Sequence, residues 1–346
     1  MSIFIIGEAW GIEEARQRTP FVGGSGYELT KMLSDAGIRR SDCYLTNVFN
    51  LHPPANDLSF LCGPPDGALP GYPKLLRGNQ KDYSHYTGDY VKSLYLPELE
   101  RLSNELLTED PNVVVCLGNT ALWALLGKTA ISRLRGTTTT STHCAAGFKL
   151  LPTYHPAAVL RQWSLRPVVV VDFQKVLRES KAPDIIRSKR EIWIEPTLDD
   201  INEFFERFLP SCEILSVDIE TLGREITCIG FAPNPRLALV VPFRDPKRLG
   251  RNYWPTFDIE CKVWKIIRQV LESPEIPKLF QNGLFDVGVL YKGYGIRVAG
   301  AKEDTMLLHY SLQPESLKGL GFLGSIYCDE GNWKDMRPKK VLKRDD

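Results

Sequence analysis

Residues 112–118 read NVVVCLG, an unbroken run of Val, Val, Val, Cys and Leu closed by a glycine. A strand of that kind has no polar face to offer water, so it reads as a central strand of a parallel sheet covered by helices on both sides. The neighbouring segments agree with it. SIFII (2–6), 43–48 and FKLLPTY (148–154) read as further strands, and 25–36, LPELERLSNELLTE (96–109) and about 167–180 as helices. Asn119 or Thr120 is placed to cap a helix that follows the central strand. The first half of the chain is therefore expected to be a three-layer α/β/α unit. Between Asn50 and about Tyr95 the pattern gives way to Pro, Gly, Asp and Tyr, an insert longer than an ordinary connection.

A length of 346 residues is more than one hydrophobic core usually serves. The stretch RESKAPDIIRSKR (178–190) reads as the divide, giving expected domains at 1–180 and 191–346 with a linker at 181–190. After it, EIWIE (191–195) reads as an edge strand and 198–208 as a helix. ILSVDIE (214–220), EITCIGFA (225–232) and LALVVPF (237–243) then form a meander that the first half lacks. Helices at 258–272, 284–291 and 303–312 and a strand in PKLF complete a second, mixed α/β domain. The 43 Lys and Arg residues nearly cancel the 42 Asp and Glu, so any nucleic-acid surface must be a local patch rather than a net field. The eight cysteines never form CxxC and mostly sit in or beside apolar runs, as reduced core thiols do. No run approaches 18 apolar residues, and MSIFII is too short for a signal peptide, so a soluble, cytoplasmic protein without membrane contact is expected.

Chemistry concentrates in two places. In GEAWGIEEARQRTPFVGGSG (7–26) the first strand ends at Gly7 and Glu8 stands at its carboxyl lip. Several glycines then let backbone approach a ligand closely. A carboxylate there suits activation of water; the ordinary alternative is a turn acid that caps backbone amides. Asn47 in TNV offers the paired donor and acceptor of a base-edge reader, and His155 in TYHPAAVLR leaves a strand just before a proline. In an open α/β sheet these three loops converge on one lip. The second place is SVDIET (216–221), where Asp218 and Glu220 share one face of a strand. Two such neighbours repel unless a cation compensates, and Mg2+ or Mn2+ suits hard oxygen ligands; an exposed edge face is the alternative. FQNGLFDVGVL (280–290) adds Asn282 at a turn and Asp286 in the first turn of a helix, a third acid within reach.

GEAWGIEE, PFVGGSG, YLTNV followed by Pro53 and Pro54, NVVVCLGNTALWALLG, and LLPTYHPAAVLR with VVVVDFQKVL resemble the uracil-DNA glycosylase superfamily, closest to its thermophile-type branch, over residues 3–177. The resemblance implies a four-stranded parallel sheet between helices and the flipping of uracil out of DNA before its glycosidic bond is cleaved. It further implies that Glu8 positions or activates water, Phe21 stacks on uracil, Asn47 reads the pyrimidine edge and His155 stabilises charge on O2. The loop 157–161 would then bring Arg161 to a phosphate. Trp10 stands where that branch has proline, and Leu51 where it has a cluster cysteine, so no iron–sulfur cluster is expected. The insert carries Lys74, Arg77, Lys81 and Lys92 among Tyr72, Tyr83, Tyr86, Tyr90 and Tyr95. It reads either as a solvated loop or as a surface for single-stranded DNA.

DIET, NGLFD and KEDTMLLHYSLQPE resemble the 3'-5' exonuclease domain of family A DNA polymerases, a ribonuclease-H-like mixed-sheet fold, over about 191–328. That implies Asp218, Glu220 and Asp286 as ligands of Mg2+ or Mn2+, Asn282 as a DNA support and Asp304 as a structural acid. The family's last motif, a Tyr or His with an Asp soon after, is not found beyond Leu323, and no polymerase segments follow. The expectation is the front half of a divided bacteriophage polymerase, working in a bacterial host. Its partner would be a separately encoded family A polymerase polypeptide that meets residues from about Gly324 onward. The rival is a non-catalytic DNA-binding scaffold that recognises template uracil or recruits the polymerase.

Overall fold

The computed structural model describes residues 2–76, 86–187, 189–223, 225–245, 247 and 252–328. Arg77, Lys81 and Tyr83 of the insert lie outside the described residues, as does everything after Cys328. The chain separates into two units, Met1–Ile185 with Gly321–Asp346, and Ile186–Leu320.

The first unit runs β1 (Ile3–Ala9), α1 (Ile12–Gln17), α2 (Gly24–Asp35) and β2 (Cys43–Phe49). The short strands β3 (Cys62–Gly63) and β4 (Tyr90–Val91) follow, then α3 (Leu96–Glu109), β5 (Val113–Leu117), α4 (Gly118–Leu126), α5 (Ile131–Leu134) and β6 (Thr139–Thr140). It continues through β7 (Lys149–Thr153), α6 (Pro156–Arg161) and α7 (Arg166–Glu179). The sheet order is β2-β1-β5-β7-β6, with the first four strands parallel. The two-residue β6 joins the edge antiparallel to β7. It adds to the all-parallel sheet that periodicity led one to expect, because a segment of two ladder residues leaves no periodic trace. Every residue of β5 is buried, as its run of apolar side chains requires. One core face packs Phe4, Ile6, Val114, Cys116 and Leu150 against α3 and α4; the other packs Ile5, Val115, Leu117 and Leu151 against α2 and α7.

The described part of the insert is not a loose loop. Leu61, Leu69, Leu75, Leu76 and Val91 are buried in the core beneath it. Tyr72 packs on Trp123, whose Nε1 donates to the Pro73 carbonyl at 2.8 Å. Lys92 donates to the Phe60 carbonyl and Lys74 pairs with Asp89 at 2.8 Å. The predicted linker is partly fixed as well. Lys149, 4% exposed, donates to the carbonyls of Glu179, Ala182 and Asp184, so the chain is held as far as 184.

The second unit comprises β8 (Glu191–Trp193), α8 (Leu198–Phe208), β9 (Leu215–Leu222), β10 (Glu225–Asn234), β11 (Leu237–Pro242), α9 (Phe257–Glu272), β12 (Lys278–Phe280), α10 (Leu284–Tyr294), β13 (Ala301–Asp304) and α11 (Thr305–Leu312). Strands β9, β10 and β11 form the antiparallel meander; β12 and β13 lie parallel on the far side of β9, and β8 edges β11. A meander extended by two parallel strands beside its first member is the mixed sheet of a ribonuclease-H-like domain. Its core gathers Phe204, Phe231, Leu239, Val263 and Ile267. The strand β13 sits where the sequence reading carried a single helix from 303; Asp304 ends the strand and caps α11 by accepting from the amides of Met306 and Leu307.

One further helix was not expected. α12 (Leu320–Tyr327) lies in the stretch expected to be the second domain and within the exonuclease-like sequence, yet from Gly321 onward it groups with the first unit. Leu323 and Ser325 are buried there, at 5% each. Arg135 explains the capture: its Nη1 donates to Ser325 Oγ at 2.8 Å.

Candidate active site

Glu8, Phe21, Asn47, His155 and Arg161 line one pocket of about 300 Å3 in the first unit, together with Trp10, Glu14, Pro53 and Asn56. The parallel register explains the convergence. Gly7 pairs with Asn47 across β1 and β2, and both strands end at the same lip. Gly7 is glycine for a local reason. A β-carbon there would stand 2.1 Å from Asn47 Oδ1 and 2.5 Å from Phe21 Cζ.

Glu8 accepts a hydrogen bond from Thr120 Oγ1 at 2.6 Å. Burial pushes the Glu8 carboxyl above the usual range, against the lowering influence of Thr120 and of the Arg161 charge. Neither Thr120 nor Asn119 caps α4; Thr120 turns to Glu8, and Asn119 Oδ1 accepts from the Ile131 amide. Asn47 is 1% exposed, and its Nδ2 has no protein partner. Its backbone is fixed by Arg101, which donates to the carbonyls of Asn47 and Val48 at 2.8 and 3.1 Å.

Phe21 holds a left-handed backbone (φ 58), a conformation that costs a non-glycine residue on the order of 1–3 kcal/mol. Two side chains hold it there. Glu14 accepts from the Phe21 amide, and Arg40 Nη2 donates to the carbonyls of Phe21 and Pro20 at 3.0 and 3.2 Å. The Phe21 ring lies 6.0 Å from the His155 ring. His155 caps α6, its Nδ1 accepting from the Ala157 amide at 3.1 Å, so the ring proton resides on Nε2. Burial, reinforced by Arg161, lowers the His155 pKa to about 4, which keeps the imidazole neutral at physiological pH. The turn after Glu8 is tied to the insert: the Trp10 amide donates to the Leu51 carbonyl at 3.1 Å, and His52 Nδ1 lies 3.0 Å from the Trp10 carbonyl.

In the second unit Asp218 and Glu220 are exposed on β9, with buried Val217 and Ile219 between and beside them. Asp286 is 4% exposed and accepts from the Ile219 amide at 3.1 Å, so it is committed to the strand that bears the other two. Burial, with Asp304 and Glu220 nearby, raises its pKa. Asn282 sits at the turn before α10 with φ 59; its amide and that of Gly283 donate to Asp304 at 3.1 and 2.7 Å. Asp304 thus staples that turn. Its carboxyl is desolvated by burial, but four backbone amides outweigh this and hold its pKa low. Among the described residues no group of three or more His, Cys, Asp or Glu stands close enough to hold a metal ion. Glu220 and Asp304 nonetheless act on Asp286 at close range, and carboxylates of this kind are the hard oxygen ligands that Mg2+ or Mn2+ takes.

Comparison with known proteins matches one family to each half of the chain. A family model described as the uracil DNA glycosylase superfamily matches residues 1–178, and one described as a 3'-5' exonuclease matches 196–341. The type-4 uracil-DNA glycosylase of Archaeoglobus fulgidus is 33% identical over 179 residues, 50% of this chain and 74% of that protein. The DNA polymerase of Bacillus phage SP01 is 24% identical over 236 residues, 59% of this chain but only 24% of the polymerase. Among solved structures, Brucella melitensis NrnC aligns at 17% identity and a TM-score of 0.29, over 42% of this chain and 63% of that one. With half its length matched from the first residue onward, the chain belongs to the uracil-DNA glycosylase superfamily, and a 3'-5' exonuclease domain is fused behind its glycosylase domain.

Proposed function

We propose that the first unit excises uracil from DNA. The observation that carries this reading is the buried Nδ2 of Asn47, a donor with no protein partner in a pocket lined by Phe21 and His155. Leaving such a donor unpaired costs about 1–3 kcal/mol, which a pyrimidine O4 would offset while the Asn47 Oδ1 accepts from N3–H. Phe21 supplies a face for the flipped base. As the bond between N1 and C1' breaks, the electron pair passes into the base. The Nε2–H of neutral His155 meets the charge that develops on O2. Ionised Glu8, its Oε2 already held by Thr120, orients a water through its other oxygen and takes the proton as the water adds to C1'. Arg161 at the pocket rim suits a DNA phosphate.

For the second unit we propose a proofreading module of a divided family A polymerase, a reading supported by the exonuclease match and the phage polymerase likeness. A polymerase polypeptide would supply the closing element that completes its metal site; the rival reading is a non-catalytic DNA-binding scaffold. A gel assay on end-labelled strands, with and without uracil and with Mg2+ or EDTA, tests both. Abasic product should form in EDTA, and Glu8→Gln should slow its formation far more than it weakens DNA binding. The absence of abasic product at high protein concentration, on single- and double-stranded substrate alike, would leave uracil recognition without excision.

A further inference from the structure

The Arg135 guanidinium, 1% exposed, stands at the centre of a buried polar network on the side of β7. Its Nε donates to Asp172 Oδ2 at 2.9 Å, its Nη2 pairs with Asp172 Oδ1, and its Nη1 donates to Ser325 Oγ at 2.8 Å. Thr153 Oγ1 donates to the same Asp172 Oδ2 at 2.6 Å. Lys175 adds bonds to the carbonyls of Ser325 and Cys328 at 2.8 and 2.6 Å. The fit is close. Gly136 has φ +69, and a β-carbon there would meet Asp172 Oδ1 at 2.6 Å and the Ser325 carbonyl at 3.1 Å. Phe322 covers the guanidinium at 5.7 Å.

Thr153 is the last residue of β7, and His155 follows two residues later. A single chain of polar contacts therefore runs from residue 325 through Arg135 and Asp172 to the strand end that presents the imidazole. We propose that Ser325 and Arg135 are positioning residues of the glycosylase site, so that the segment 321–328 sets the placement of His155. The inference rests on the excision reading only for its kinetic readout. Fully paired, a buried network of this kind fixes one geometry; losing one acceptor leaves a charged donor unsatisfied and the strand end free to shift.

The test uses the full chain with Ser325→Ala, Ser325→Thr, which keeps the hydroxyl, and Arg135→Lys, which keeps the charge. Two measurements are made: uracil release under saturating and limiting DNA, and the His155 titration by NMR of the imidazole nitrogens. The charged groups facing His155 across the pocket are Glu8 from β1, Glu14 from α1 and Arg161 from α6, and none of them is altered. Ser325→Ala and Arg135→Lys should each lower kcat about tenfold with KM unchanged, the scale of one lost bond to a charged donor. In both variants the His155 titration should move up from about 4 toward its ordinary value as water reaches the ring, and Ser325→Thr should behave as the parent does. A His155 titration unchanged in both variants overturns the proposal, even if melting temperature falls. A shifted titration in a chain that releases no uracil upholds the positioning and refutes only the excision reading.

Discussion

Gly7→Ala should disable the glycosylase pocket while sparing the fold. The added methyl would lie 2.1 Å from Asn47 Oδ1 and 2.5 Å from Phe21 Cζ, where ordinary contact begins near 3.4 Å, so the amide must retreat by more than an ångström. Asn47 is 1% exposed and held through its backbone by Arg101, and Phe21 is pinned by Glu14 and Arg40. Neither has anywhere to go except into the pocket. Overpacking of this kind costs about 1–3 kcal/mol of stability, a drop of several degrees in Tm for a unit of this size. A displacement of about 1 Å in a positioning group costs on the order of a hundredfold in rate, about 2.7 kcal/mol of activation free energy. Single-turnover uracil release and a thermal melt, run beside Gly24→Ala, separate the two effects. A β-carbon at Gly24 meets nothing within 4 Å, so that variant should match the parent. Release by Gly7→Ala within about threefold of the parent would refute the placement of Asn47 and Phe21 around the base.

Two further predictions bear on acids. Thr120→Val removes a donor that lowers the Glu8 pKa, so the carboxyl rises further above its ordinary value. In the proposed mechanism excision needs ionised Glu8, so activity should be lost as pH falls through that pKa; the acid limb of the pH–rate profile should move to higher pH, and an unmoved limb would count against Glu8 as the ionised group. In the second unit, Mg2+-dependent shortening of a labelled strand should be weak for the chain alone and rise on mixing with a family A polymerase polypeptide. Asp218→Ala should abolish the gain, whereas full activity from the chain alone would contradict the divided-polymerase reading.

Much of the pocket was legible in the sequence because Glu8 and Asn47 lie near the carboxyl ends of apolar strands, His155 just beyond another, and parallel strands end at a common lip. What holds those residues was not. Thr120 lies 112 positions from Glu8, and Glu14 and Arg40 act on the backbone of Phe21, contacts that leave no periodic pattern. The insert looked loose because its buried leucines at 61, 69, 75 and 76 follow neither a helical nor a strand period. The helix at 320–327 was not read from the sequence, and neither was its partner: charged residues such as Arg135 and Asp172 belong at the surface by default and become buried only by pairing.

That helix also bears on the order of events during synthesis. The glycosylase unit emerges first from the ribosome, yet Ser325, the acceptor for its buried Arg135, is made only after the 186–320 stretch that forms the other unit. At about 5–20 residues per second that interval is on the order of ten seconds. Through it the nascent glycosylase unit carries an Arg135 and a Lys175 whose later partners do not yet exist. The unit translated first is thus the one finished last, and a nascent chain stalled before residue 321 should be cleaved by proteases around Arg135 more readily than the full chain.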